Sequence, residues 1–266
     1  MEIGGSTRVF ALLGDPVAHS LSPVMQNAAF RASGLDAVYV PIRCSGGAIG
    51  FLMEALARQG GGGNVTVPHK AAAAEALATL GGPALPVCNT FWAKDGTLTG
   101  AETDSDGILA ALAALGGPSG DWCLIGTGGS ARAALRAARR AGVRIAVWSR
   151  VAERGERFAA LAREDGVALT AVEACQVVIN CTPLGMADAD SLPIALDRVP
   201  AGSLLLDLVY RRGETRWVRA AKEAGRVAAD GRTVLLEQGA ASFERWFPGR
   251  VAPREVMRAA VRAALE

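Results

Sequence analysis

Gly126, Thr127, Gly128, Gly129, Ser130 and Ala131 satisfy the spacing G-x-G-x-x-A, which suits the binding of a pyrophosphate. The first glycine of such a pattern makes a tight turn, and the second lets the backbone approach the diphosphate. The small last residue lets a helix pack closely on the preceding strand, and the helix N-terminus offers oriented N–H groups and partial positive charge. With 32 glycines in the chain the pattern alone is weak, and a plain glycine turn is the competing reading. Context favours the phosphate site. An apolar run at residues 122–125 precedes the turn, a helical pattern at 130–141 follows it, and residues 143–148 read as the next strand. That strand ends in Ser149 and Arg150, with Arg154 close behind, and the first carboxylate is Glu153. Enzymes that bind NAD place Asp or Glu at this tip for the ribose 2′-hydroxyl, whereas a guanidinium fork suits a 2′-phosphate. The expectation is an NADP site, with Arg150 and Arg154 as solvated loop residues the alternative.

Elements positioned to present further chemistry lie on both sides of this turn. Residues 9–13 form a short apolar run ended by Gly14-Asp15-Pro16, a strand entering a turn. Ser22 followed by Pro23 reads as a helix N-cap and first turn, with the helix continuing to about residue 33. Residues 38–42 read as a strand, 51–59 as a helix stopped by Gly60–Gly63, 64–67 as a strand, and 70–80 as an Ala-rich helix. This alternation predicts a mainly parallel α/β sheet. After the glycine turn, 177–180 and 204–208 read as further buried strands, so the second block looks like a complete Rossmann-like, doubly wound unit. Residues 240–266 read as helical, surplus to that unit and available to pack on the first. The resulting expectation is two α/β domains. Residues 1–107, completed by about 238–266, bind substrate and carry catalysis; residues 108–237 bind NADP; a cleft lies between them.

Bulk properties narrow the function. The 266 residues are 50% hydrophobic and 20% charged, and the net charge is +2. That describes a folded two-domain chain without the clustered basic surface of a nucleic-acid binder. No apolar run approaches the roughly 18 residues needed to span a bilayer, and no leader pattern opens the chain. Five cysteines, odd in number and without C-x-x-C spacing, read as free thiols in a reducing compartment, so a cytoplasmic location is expected. His19 and His69 lack a third ligand at suitable spacing, so no metal is expected.

Eight spaced segments resemble the shikimate dehydrogenase family in its order. They are Gly14-Asp15-Pro16-Val17-Ala18-His19-Ser20-Leu21-Ser22-Pro23; Asn64-Val65-Thr66-Val67-Pro68-His69-Lys70; Asn89-Thr90; and Glu102-Thr103-Asp104-Ser105-Asp106-Gly107. After these come the glycine turn, Asn180-Cys181-Thr182-Pro183-Leu184-Gly185-Met186, Asp207-Leu208-Val209-Tyr210, and Gln238 with Phe243. The resemblance implies Lys70 and Asp104 as the acid–base pair of a ketone reduction, with Asp106 the competitor two residues on. It implies Ser20 and Ser22 as hydroxyls for a substrate carboxylate, and Thr66, Asn89, Tyr210 and Gln238 as hydrogen-bonding partners of ring hydroxyls. Thr182, Gly185, Met186 and Gly231 match positions near the nicotinamide. The implied reaction is the reversible reduction of 3-dehydroshikimate to shikimate with NADPH, in the chorismate route to aromatic amino acids. The implied partner is a small carboxylated cyclic polyol, bound by a monomer or homodimer, without nucleic acid or membrane.

Departures from the family bear on specificity. Glu102 stands where Asn is usual, Gln26 where His is common, Cys88 where an aliphatic is usual, and Ser149 and Val151 flank Arg150 in place of Asn and Thr. Phe247-Pro248 replaces a commoner Thr before Gly249. A carboxylate two residues from Asp104 alters the charge near a ring substituent. Quinate and an amino analogue of shikimate therefore stay open as substrates, as does a nucleotide-sensing homologue without turnover.

Overall fold

A computed structural model of the chain describes residues 2–117 and 120–266. The chain divides into two compact units, residues 1–103 with Gln238–Ala264, and Asp104–Glu237 with the last two residues.

The first unit is built on strands β1 (Arg8–Gly14), β2 (Ala37–Arg43), β3 (Gly62–Val65), β4 (Thr90–Lys94) and β5 (Thr97–Ala101), in the order β2-β1-β3-β4-β5. β1 runs parallel to β2 and β3, while β4 and β5 form an antiparallel hairpin at one edge. Alternation along β1 divides its side chains between two layers. Ala11 and Leu13 pack with helices α2 (Ile49–Arg58) and α3 (Lys70–Thr79), through Ile49, Met53, Ala73 and Leu77. Phe10 faces an aromatic cluster instead. Its ring lies 5.2 Å from Phe30 of α1 (Ser22–Ala32), and 4.9 Å from Trp246 of α8 (Arg232–Trp246). Phe243 and Phe247 complete the cluster at 5.0 Å from one another, and α9 (Arg254–Leu265) follows. The C-terminal segment thus supplies one side of this unit's core.

Two details of the first unit differ from expectation. Ser22 is the first helical residue rather than the N-cap, which is Leu21; Ser20 Oγ accepts the Ser22 N–H at 3.3 Å. The Gly60–Gly63 run is not merely a helix stop, since β3 begins inside it. A Cβ on Gly63 would sit 2.1 Å from the Ala11 carbonyl oxygen, so the strand's close approach to β1 demands glycine.

The second unit contains α4 (Asp104–Ala114), β6 (Asp121–Ile125), α5 (Gly129–Ala141), β7 (Ile145–Trp148), α6 (Ala152–Glu164), β8 (Cys175–Asn180), β9 (Leu204–Asp207), α7 (Arg216–Glu223) and β10 (Ala228–Ala229). The strands are parallel throughout, in the order β10-β9-β8-β6-β7. A single parallel bridge from Ile145 to Leu169 stands beside β7 as the remnant of one more strand. With it the sheet has the 3-2-1-4-5-6 order of dinucleotide-binding folds, whose topological switch lies between β6 and β8. Both faces are covered. Trp122 and Leu124 of β6 pack with α4, α5 and α6, and Cys123 and Ile125 pack with Trp217 and Val218 of α7. α5 ends at Gly142, φ +69°, as its sequence position predicts. Among the described residues no helix is long and apolar enough to cross a membrane, and all five cysteines are free thiols.

Candidate active site

In the second unit the glycine turn joins the C-terminal end of β6 to α5 at the switch point. Gly126 adopts φ +101°, and a Cβ there would lie 2.8 Å from Cγ2 of Thr182. The turn is tied to both neighbouring strands: Gly126 N–H donates to the Trp148 carbonyl at 2.8 Å, and Cys181 N–H to the Ile125 carbonyl at 2.9 Å. Above Gly128 and Gly129 there is open space, which is what an approaching phosphate needs. Ser130 follows in the first turn of α5, which contains no acidic residue, and Ala131 is buried against the sheet.

A cavity of about 430 Å³ opens on this turn. Its walls bring together Gly126, Thr127 and Gly128 with Ser149, Arg150 and Arg154, and with Thr182 from the loop after β8. Among the described residues, both charged groups in that lining are arginines and no carboxylate enters it, so the site's charge matches a phosphorylated ribose. Ser149 Oγ bonds the Val151 carbonyl at 3.0 Å and so shapes the loop that carries Arg150. Trp148, Pro183, Leu184 and Pro193 also line the cavity, and none is visible as a site residue from sequence. The Arg198 guanidinium stacks over the Trp148 ring at 4.5 Å. These features fit NADP, which the glycine turn, the α5 N-terminus and the two arginines would hold.

The loop after β8 is set by a buried carboxylate. Asp207, at the end of β9 and fully buried, accepts the Asn180 Nδ2–H at 2.8 Å and the Val209 N–H at 3.0 Å on Oδ1, and the Thr215 hydroxyl at 2.7 Å on Oδ2. Asn180 in turn accepts the Thr182 N–H and hydroxyl, at 3.0 and 2.7 Å. Burial pushes the Asp207 carboxyl up from an ordinary 3.8 to about 6; the three hydrogen bonds oppose this and nearby Asp230 adds to it. Asp190 accepts the N–H groups of Ala187 and Gly185, at 2.9 and 3.0 Å, which holds its own pKa down. Of the other residues the sequence associated with the nicotinamide, Met186 is exposed on this loop and outside the cavity lining. Gly231 is buried, with its N–H on the Val209 carbonyl at 3.0 Å. Tyr210 follows β9 in the same unit, half-buried.

In the first unit, Lys70 opens α3 directly after His69, whose Nε2 lies 2.9 Å from the Cys44 carbonyl oxygen. Thr66 is half-buried at the end of β3, with its N–H on the Leu13 carbonyl at 2.8 Å. Ser20 and Ser22 stand together at the start of α1, Ser22 buried. Asn89 is only 2% exposed: its Oδ1 accepts the Thr103 N–H at 2.8 Å and its Nδ2 donates to Thr103 Oγ1 at 3.0 Å. Those bonds anchor Thr103, the residue bonded to Asp104. Gln238 lies half-buried on α8. In the second unit Asp104 is the first residue of α4. Asp106 is held by Arg140 at 2.7 Å.

Residues 12–90 match the family model described as the shikimate dehydrogenase substrate binding domain, and residues 231–262 match the shikimate 5′-dehydrogenase C-terminal domain. A protein of Shouchella clausii named shikimate dehydrogenase (NADP(+)) is 35% identical over 97% of this chain and 99% of its own. One of the same name from Symbiobacterium thermophilum is 37% identical over 98% and 96%. The crystal structure of shikimate 5-dehydrogenase from Thermus thermophilus, in complex with NADP(H) and shikimate, superposes with a TM-score of 0.82 at 33% identity. It covers 96% of this chain and 99% of that one.

Proposed function

The chain belongs to the shikimate dehydrogenase family, and from that premise we infer that it is an oxidoreductase interconverting 3-dehydroshikimate and shikimate with NADP, in the route to aromatic amino acids. The carrying observation is the cavity on the glycine turn, which Arg150 and Arg154 line and no carboxylate enters. In this reading the second unit holds NADP, through Gly126, Thr127, Gly128, Gly129, Ser130, Ala131, Ser149, Arg150, Arg154, Thr182, Met186 and Gly231. Residues 1–107 and 238–266 form the substrate and catalytic domain, and 108–237 the NADP-binding domain. The protein acts in the cytoplasm as a monomer or homodimer, on a free small molecule.

Bound NADPH supplies the hydride that reduces the ketone carbon. The protein's part is to hold the ring and handle the proton. Ser20 and Ser22 offer hydroxyls to the ring carboxylate, and Thr66, Asn89, Tyr210 and Gln238 offer neutral hydrogen-bonding groups to its hydroxyls. Lys70 Nζ donates to the ketone oxygen as negative charge develops there and gives up its proton to form the alcohol. The Asp104 carboxylate supports the charged ammonium, and in the oxidative direction the same amine takes the proton back.

The test is oxidation of shikimate and of quinate, each with NADP and with NAD, followed by nicotinamide absorbance. Rapid reduction only with shikimate and NADP supports the reading. Preference for quinate moves the substrate, preference for NAD removes the role of Arg150, and no turnover in any combination overturns the assignment.

A further inference from the structure

Four buried polar side chains of the first unit, Asn64, Asn89, Thr103 and Ser242, form one connected network, and its node is a serine for which the sequence suggests no role. Ser242 lies on α8 and is fully buried. Its Oγ donates to the Gln238 carbonyl at 3.0 Å, receives Asn64 Nδ2–H at 2.9 Å, and lies 3.2 Å from the Thr103 hydroxyl. A serine hydroxyl has one proton and two lone pairs. Its proton serves Gln238, and the Thr103 hydroxyl stands within hydrogen-bonding distance of both Ser242 Oγ, at 3.2 Å, and Asn89 Oδ1, at 3.3 Å. Thr103 Oγ1 in turn accepts Asn89 Nδ2–H, while Asn64 also donates to the Asn89 carbonyl at 3.0 Å and accepts the Tyr39 hydroxyl at 2.9 Å.

A serine inside a helix often does no more than bond the carbonyl four residues back, as this one does to Gln238. Here the other two partners lie 139 and 178 residues away in the chain. Thr103 directly precedes Asp104, and Asn64 lies on β3 with its amide on the Asn89 carbonyl. Each partner is itself buried, Thr103 completely and Asn64 to 6% exposure, so none has water as a substitute.

We propose that Ser242 is a positioning residue: its hydroxyl fixes the α8 turn bearing Gln238, the Thr103 backbone bonded to Asp104, and Asn89 in one mutual arrangement, without touching substrate itself. The kinetic consequence rests on the function inferred above; the structural one does not.

The experiment replaces Ser242→Ala and follows two quantities beside melting temperature. The first is amide hydrogen exchange at residues 102–105, expected to quicken by about tenfold as the network that holds Thr103 and Asn89 loses its node. The second is steady-state kinetics with shikimate and NADP varied separately. We expect kcat/KM for shikimate to fall about tenfold to a hundredfold, as for a small misplacement of binding groups, with the NADP Kd within about twofold of wild type. Ile49→Ala, in the same unit's apolar core, is the control for general loosening and should leave the shikimate constants within about twofold. Should the Ala variant fail to fold, Ser242→Cys, with a weaker donor and acceptor, gives the same direction with a smaller effect. Exchange and shikimate constants that merely track the Ile49→Ala control overturn the proposal. A wild-type protein inert toward shikimate overturns the assigned reaction, while exchange at Thr103 still decides the network.

Discussion

Replacing Asp207 by Asn isolates the effect of one buried carboxylate, because the amide preserves the shape of the group it replaces. Oδ1 still accepts from Asn180 and Val209, and the new Nδ2 donates to Thr215 Oγ1 after that hydroxyl turns round. What changes is the titration. In the folded protein the carboxyl holds its proton up to about pH 6, whereas an ordinary carboxyl releases it near 3.8. Between those values the native state binds more protons than the unfolded chain, so stability is greatest at low pH and declines as pH rises through 6. At about 1.4 kcal/mol per pH unit, the interval is worth about 3 kcal/mol. About 2 kcal/mol of that falls between pH 4.5 and 7.5. Urea unfolding read through tryptophan fluorescence measures it, since Trp122 and Trp217 are buried in this unit. Subtracting the two proteins' unfolding free energies at each pH cancels the other titrating groups. Asp207→Asn should gain on wild type by about 2 kcal/mol from pH 4.5 to 7.5. Parallel curves for the two proteins across that range would refute the raised carboxyl and its burial as the cause.

Three other outcomes follow from the site. Lys70→Ala should lower turnover by at least about 100-fold with NADP affinity unchanged by titration, and near-normal turnover would remove Lys70 from the mechanism. Arg150→Ala removes a charge-assisted contact worth about 1.5–3 kcal/mol, so the NADP KM should rise roughly tenfold to a hundredfold and the NAD KM hardly at all. Equal losses for both cofactors would exclude a 2′-phosphate role. Gly126→Ala forces a side chain to φ +101° and against Thr182, costing about 1–3 kcal/mol. It should weaken NADP and NAD alike, and full NADP affinity in a folded variant would show that this turn does not cradle the pyrophosphate.

The glycine turn was legible because its chemistry is local: strand, G-x-G-x-x-A and helix occupy one stretch, and the absent carboxylate at the next strand tip can be read by counting. Gly142 was legible as a helix end for the same reason. The β4–β5 hairpin was missed although its signal was there, since Asp95 and Gly96 both adopt positive φ, 51° and 77°, as a two-residue Asp-Gly turn requires. Ser22 suits a cap by residue type, yet the backbone begins the helix one residue earlier, with Leu21 as the N-cap. β3 hides in a glycine run whose reason is the nearness of β1, a fact of tertiary structure. Nothing local marks Ser242, two of whose partners lie far along the chain, and the raised carboxyl of Asp207 depends on burial that its segment alone does not reveal.

The aromatic cluster of the first unit has a consequence for the order in which the chain acquires structure. Phe10 and Phe30 emerge from the ribosome before any of the second unit, but Phe243, Trp246 and Phe247 emerge only after residues 104–237 have been synthesised. The second unit, continuous from Asp104 to Glu237, has its core sequence complete before then. The half made first therefore finishes last. Until α8 arrives, the Phe10 face of its sheet stays open to solvent and to other nascent chains, a period in which a chaperone has something to hold.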